Sequence, residues 1–314
     1  MAIQRVEIKD FLVFKGEFAT DFSEGVNVLI GENATGKTTL LKCLYELKWT
    51  LSRLYDKNNY ALSDANGNAL YAKTDENSIA GIQSREWGNA TIGKVLRNFI
   101  YIPEKDILEH AKGLLTFIEQ KHTGFNQVYK DVLIAAQDVP TQAQSETQKS
   151  IGQKIIDIVG GDIQWDKAEG SFYTMRADGS RIPFANEASG FKKMGFLGLL
   201  VSSGQLGPSS VLFWDEPENS LNPELIPKLV DILLELSRNG VQIFIATHSE
   251  LLASYFAVNR KKSDKIMFTS LYRDGEKIKA NTGDRFDLLE PNNLTEEPVK
   301  LYEKEIERGL GGND

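Results

Sequence analysis

The run Val26-Asn-Val-Leu-Ile30 ends at Gly31 and passes straight into Gly31-Glu-Asn-Ala-Thr-Gly36-Lys37-Thr38-Thr39. Behind it Leu40, Leu41, Leu44, Leu47, Leu51 and Leu54 share one helical face. A buried strand that feeds a glycine loop and then a helix confines the chain to an α/β fold, with a parallel sheet covered by helices. The loop fits G-x-x-x-x-G-K-[ST], and strand-before, helix-after is the context that motif needs. Its glycines let successive backbone N–H groups turn toward one anion, and the helix N-terminus adds its partial positive charge. Gly31, Asn33, Ala34, Thr35, Gly36, Lys37, Thr38 and Thr39 are therefore the expected binding residues for the phosphates of ATP. Lys37 serves as a point charge on the β/γ-phosphates, and Thr38 offers a hydroxyl to Mg²⁺.

The rest of the chain repeats the alternation. Ile3 to Ile8 and Phe11 to Phe18 read as strands, Val95 to Ile102 as a strand stopped by Pro103, and Val211 to Trp214 and Val241 to Ala246 as buried strands. Helical spacing recurs over 107–118, from Phe125 to Ala136 and from Ile151 to Val159, with Thr141 to Ser150 read as a mobile link. Residues 163–184 suggest a β-meander with an Asp178-Gly179 turn. Residues 191–202 and Pro223 to Asn239 suggest helices, Met267 to Ala280 a hairpin, and Glu296 to Leu310 an amphipathic helix. The reading is one domain over 1–314, with 1–55 and 185–314 as the nucleotide-binding core. Residues 56–184 form an inserted lobe from which the strand 95–102 returns to the core.

Two further groups carry chemistry. Val211-Leu-Phe-Trp-Asp215-Glu216 is a buried strand that ends in two carboxylates. Asp215 suits Mg²⁺ through water, and Glu216, one residue past the strand end, suits polarisation of an attacking water. His248 follows the strand Val241 to Ala246 at the C-terminal edge where parallel sheets bind ligands, in place to donate a hydrogen bond to the γ-phosphate.

These residues together resemble an ABC-type ATPase. Asp215-Glu-Pro-Glu-Asn-Ser-Leu-Asn-Pro223, Thr247-His-Ser249 and the opening Ile8-Lys-Asp-Phe11 are similar to the SMC, RecF and OLD branch rather than to transporter subunits. The resemblance implies a P-loop ABC-ATPase head with a mostly parallel central sheet, an N-terminal antiparallel β part and a helical lobe insertion. It also implies a signature loop before the helix that leads to Asp215, where this chain reads Asn186-Glu-Ala-Ser189-Gly190-Phe-Lys-Lys193. Two registers stand open: Ser189 as the signature serine with Phe191 replacing the second glycine, or Gly190 as that glycine with Ala188 replacing the serine. Either way Ser189 and Gly190 are nucleotide-binding candidates across a dimer. Glu104 falls at the family's glutamine position, as a ligand of Mg²⁺ or its water, or simply as an acid at a helix start. Phe11 and Phe14 suit core packing better than stacking near adenine.

Composition bounds the partners. A net charge of −8 argues against a mainly electrostatic grip on nucleic acid, though it leaves room for a local basic patch. The one cysteine, Cys43, reads as a small buried hydrophobe and points to a reducing compartment. No apolar run approaches the roughly 20 residues of a membrane span, and the charged N-terminus does not suit a signal peptide. The expectation is a cytoplasmic ATPase that dimerises on ATP and acts through an effector protein on another chain, in bacterial defence or stress response. The alternative is a DNA-repair or DNA-organising ATPase of RecF/SMC type.

Overall fold

The computed structural model describes residues 2–45, 70–74, 78–81, 98–104, 127–137 and 144–310. In chain order its elements are β1 (Ile3–Phe11), β2 (Phe14–Asp21), β3 (Val26–Gly31), α1 (37–45), β4 (Leu70–Thr74), β5 (Ser78–Gly81) and β6 (Phe99–Ile102). Then come α2 (Gln127–Gln137), α3 (Glu146–Val159), β7 (Gly161–Asp166), β8 (Ser171–Arg176), β9 (Arg181–Pro183), α4 (Ser189–Ser202) and β10 (Val211–Asp215). The chain continues with α5 (Ile226–Arg238), β11 (Gln242–Ala246), α6 (Glu250–Asn259), β12 (Ile266–Asp274), β13 (Lys277–Gly283) and α7 (Asn293–Leu310). These fall into two compact units, 1–95 with 246–314, and 96–245.

In the first unit β1 pairs antiparallel with β2 and with β4, and β4 with β5. Phe14, Phe18 and Thr20 alternate inward along β2, the period of a sheet with one dry face. β3 is different: Val26 to Ile30 are all buried, as in a strand covered on both faces, and β12 runs parallel beside it with β13 antiparallel outside. Leu40, Leu41 and Leu44 of α1 are fully buried and Cys43 nearly so, as the helical stripe demands. The predicted positions Leu47, Leu51 and Leu54 lie outside the described residues.

The second unit sets β6 and β11 on either side of β10, with β6 parallel to it. Phe213 and Phe244 stack with ring centroids 5.1 Å apart. A three-stranded meander, β7-β8-β9, follows α3. Helix α4 lies close on its neighbours because it carries glycines there: a Cβ on Gly198 would come within 3.0 Å of Ile155, and one on Gly195 would overlap the Ile163 side chain. The architecture is the mixed α/β fold expected, mostly parallel with antiparallel parts.

Several boundaries differ from the sequence reading. The strand expected from Phe11 to Phe18 is broken at a hairpin, where Asp10 and Leu12 take positive φ and Asp10 Oδ1 accepts the Gly16 N–H at 2.6 Å. The stretch 141–150 is not all link. Ser145 and Gln148 form a reciprocal capping box that starts α3 at Glu146, a local signal outweighing the Gln- and Ser-rich composition. Helix α6 was not anticipated, because Leu-Leu-Ala-Ser-Tyr-Phe-Ala-Val lacks a polar face to set a period. The helix expected over 107–118 lies outside the described residues.

Candidate functional site

The glycine loop is built by steric necessity. Gly31 sits at φ +140°, where a Cβ would lie 2.1 Å from the Leu271 carbonyl oxygen. Gly36 sits at φ +92°, with Val13 and Phe14 within 3.0 Å of any Cβ. Ala34 between them also takes positive φ, 62°. Positive φ at these three positions is the backbone freedom that an anion nest requires. Helix α1 begins at Lys37, with the Leu40 N–H bonded to the Gly36 carbonyl at 2.7 Å. The buried Lys37 ammonium donates to the carbonyls of Gly31, 2.7 Å, and Glu32, 2.9 Å, so the charge is held inside the loop. Thr35 is buried and bonds the Glu32 carbonyl, Thr38 and Thr39 are half-buried, and Asn33 and Ala34 are exposed. Phe14 is fully buried behind the loop and packs on Phe18, and Phe11 is buried too, which makes both core residues.

His248 belongs to the same unit. The Thr247 N–H donates to the Leu29 carbonyl at 3.0 Å, two residues before Gly31, so the exposed His248 follows directly at the strand end that feeds the loop. Ser249 then caps α6 through the Leu252 N–H.

The carboxylates lie in the second unit. Asp215 is buried at the end of β10, and its Oδ2 accepts the Tyr101 hydroxyl at 3.3 Å. Glu216 is forced into φ +48°, a left-handed conformation that costs an ordinary residue about 1–2 kcal/mol. Two donors hold it there through its carbonyl: Lys193 Nζ at 2.9 Å and the Asn219 N–H at 3.1 Å. Asn219 Nδ2 donates to Glu104 Oε1 at 3.2 Å, so the exposed Glu104 is tied to the turn after the acid pair.

Ser189 is exposed as the first residue of α4, and Gly190 is buried. A Cβ at Gly190 would stand 3.2 Å from the Leu221 side chain and 3.3 Å from the Ser220 carbonyl, and Ser220 itself takes φ +65°. The loop into Ser189 is pinned by Glu187, which accepts two bonds from Arg176 at 2.7 and 2.9 Å.

The first unit thus gathers the loop residues and His248, and the second gathers Asp215, Glu216, Glu104, Ser189 and Gly190. Tyr101, Lys193, Arg176 and Arg273 support these groups and were passed over in the sequence, because nothing local marks them. Arg273, at the end of β12, donates to the Ala34 carbonyl at 2.8 Å, and Asn293 donates to the Glu32 carboxylate. Among the described residues no cluster of three or more His, Cys, Asp or Glu gathers into a metal site. Thr38 in the first unit offers a hydroxyl and Asp215 in the second a carboxylate, each a hard oxygen donor of the kind Mg²⁺ takes. A separate concavity of the first unit, about 750 Å³, holds Arg260, Lys261, Lys262 and Lys265 beside Glu24, Asp264 and Asp284, and none of the loop residues. There a hydrogen bond from Lys265 holds the Glu24 carboxyl below its ordinary range. Among the described residues no helix is long and apolar enough to cross a membrane.

Residues 1–85 match the family described as "AAA ATPase domain", and residues 101–254 match "AAA domain, putative AbiEii toxin, Type IV TA system". The glutamine transport ATP-binding protein GlnQ of Bacillus subtilis is 23% identical over 243 residues, 77% of this chain and 74% of GlnQ. The DNA replication and repair protein RecF of Oenococcus oeni is 42% identical over 59 residues, 19% of this chain but only 15% of RecF. The crystal structure of an SMC head bound to the C-winged helix domain of ScpA shares the fold, with a TM-score of 0.53 at 13% identity over 90% of this chain and 98% of that one. With its glycine loop and strand-end carboxylates, the chain is an ATPase that resembles the AAA domain family over residues 1–85 and 101–254 and shares the fold of an SMC head.

Proposed function

We propose that the chain is an ATP-driven switch that closes as a homodimer on ATP and acts through an effector protein on another chain. The observation that carries this reading is the exposed Ser189 at the N-terminus of α4, in a chain that also holds the glycine loop and the acid pair. One chain therefore carries both halves of a composite site, and a two-fold axis completes two sites at once. In this reading the loop from Gly31 to Thr39 cradles the phosphates and Lys37 neutralises the β/γ-charge. His248 donates to the γ-phosphate, and Ser189 with Gly190 meets the same phosphate from the other copy. Glu216 accepts a proton from the attacking water. Thr38 would hold Mg²⁺ by its hydroxyl, with Asp215 acting through water and Glu104 on the ion or its water, and the ion would supply charge neutralisation on the phosphate oxygens. The family description naming a toxin system supports a place in bacterial defence, and the reading puts the protein in the cytoplasm.

The test is Glu216→Gln, which keeps size but removes the base. Light scattering after gel filtration should show a dimer in Mg-ATP and a monomer without it. A chain that stays monomeric in saturating ATP sinks the composite site.

A second reading, a DNA-repair or DNA-organising ATPase, is favoured by the RecF likeness and by the basic side chains at Arg260, Lys261 and Lys262. Salt-dependent DNA binding in the presence of ATP supports it; no binding at low salt removes it.

A further inference from the structure

Among the described residues of the first unit, α7 is the long helix that packs on nothing along most of its length. Its root is fastened: Asn292 is buried and donates to the Phe286 carbonyl, and Asn293 bonds Glu32 of the glycine loop. Beyond that root every residue from Glu296 to Gly309 is exposed. A lone helix of this length is marginal in water, and Pro298 inside it removes one backbone bond. What holds its exposed face together is local, such as the Glu297–Lys300 ion pair at 2.6 Å.

The exposed face is not uniformly polar. At about 100° per residue, Val299, Tyr302 and Ile306 fall within about 60° of one another. They leave 54%, 64% and 42% of their surfaces in water, a continuous apolar stripe in the spacing of a helix seam. The charges beside it are one-sided. Glu303 and Glu307 border the stripe on one edge and Glu305 on the other, while Lys300, Lys304 and Arg308 lie further round. A second copy of α7 would set these carboxylates against each other, the like-charge arrangement that disfavours pairing. A helix with an apolar stripe edged by Lys or Arg would find both its surface and its charge matched.

We propose that α7, from Val299 outward, is the docking site for a basic amphipathic helix on another protein chain. This rests on the reading that the effector lies on another chain, and it is independent of the ATP-dependent dimer. The dimer is read from the mass of Glu216→Gln, and docking from peptide binding to the unaltered protein, so either can fail while the other stands.

The experiment uses the full chain and two fluorescent peptides of about three heptads, apolar at the seam, one with Lys and one with Glu at the flanking positions. Fluorescence anisotropy should show saturable binding of the Lys-flanked peptide and at least about tenfold weaker binding of the Glu-flanked one. Ile306→Glu should lose at least about tenfold in affinity for the Lys-flanked peptide. Leu301→Glu puts the same charge on the opposite face, about 160° from Val299, and should leave binding unchanged, which separates a lost seam from a melted helix. Glu303→Lys with Glu307→Lys should reverse the preference toward the Glu-flanked peptide. Equal binding of both peptides, no binding of the Lys-flanked one, or equal losses in Ile306→Glu and Leu301→Glu overturns the proposal. So does self-association in sedimentation that Ile306→Glu abolishes, since a second copy would then occupy the stripe.

Discussion

The Lys193 ammonium, buried in the first turns of α4, donates to the backbone carbonyl of Glu216 at 2.9 Å. Glu216 stands at φ +48°, so the contact ties the helix that begins at Ser189 to the strained residue whose carboxylate is proposed to polarise water. Lys193 is a positioning residue in this arrangement. Lys193→Met keeps the apolar stem and removes the donor. The expected outcome is a fall in ATP turnover of about a hundredfold, the cost of roughly 1 Å of misplacement, with ATP affinity unchanged. Steady-state hydrolysis beside nucleotide titration checks it, and unchanged turnover would show that the Asn219 N–H alone holds Glu216.

Lys37 places the only buried ammonium of the described glycine loop against two loop carbonyls, ready to meet phosphate. Lys37→Ala should weaken ATP binding by at least about a hundredfold, because charge-assisted bonds to phosphate are worth about 1.5–3 kcal/mol each. Isothermal titration of ATP reads this directly. Affinity equal to the unaltered chain would remove the loop from nucleotide binding.

Ser189 is exposed and carries no core packing, so Ser189→Arg should leave folding and ATP binding intact while hydrolysis is lost. In the proposed dimer the bulk acts only where the second copy would close on the site. A variant that hydrolyses ATP at the normal rate would place the dimer contact elsewhere on the surface.

Arg176 bonds both oxygens of Glu187, whose side chain is 4% exposed, just ahead of Ser189. Arg176→Ala leaves that carboxylate buried without its cation, at a cost of about 3 kcal/mol. Urea unfolding should show a lower midpoint with an unchanged slope. Arg176→Ala with Glu187→Gln should recover part of the loss, because the buried charge is gone.

What the linear sequence determined was whatever depends on neighbours. The glycine loop, the apolar runs of β3, β10 and β11, the stripe of α1 and the acid pair at a strand end are all written in spacings of one to eight residues. The same locality explains what was misread. Ser145 and Gln148 form a capping box inside a stretch whose composition suggests a linker, and α6 is too uniformly apolar to show a period.

Tertiary structure alone decided the contacts that hold these groups in place. Lys193 reaches Glu216 across 23 positions, Tyr101 reaches Asp215 across 114, and Arg273 reaches Ala34 across 239. A hydrogen bond requires atoms about 3 Å apart, and chain separation says nothing of that until sheet order and helix packing are set. It also decided that Gly190 lies close against Ser220 and Leu221, and that Val299, Tyr302 and Ile306 face water. An amphipathic pattern shows that a helix has an apolar face; only the fold shows whether anything in the same chain covers it.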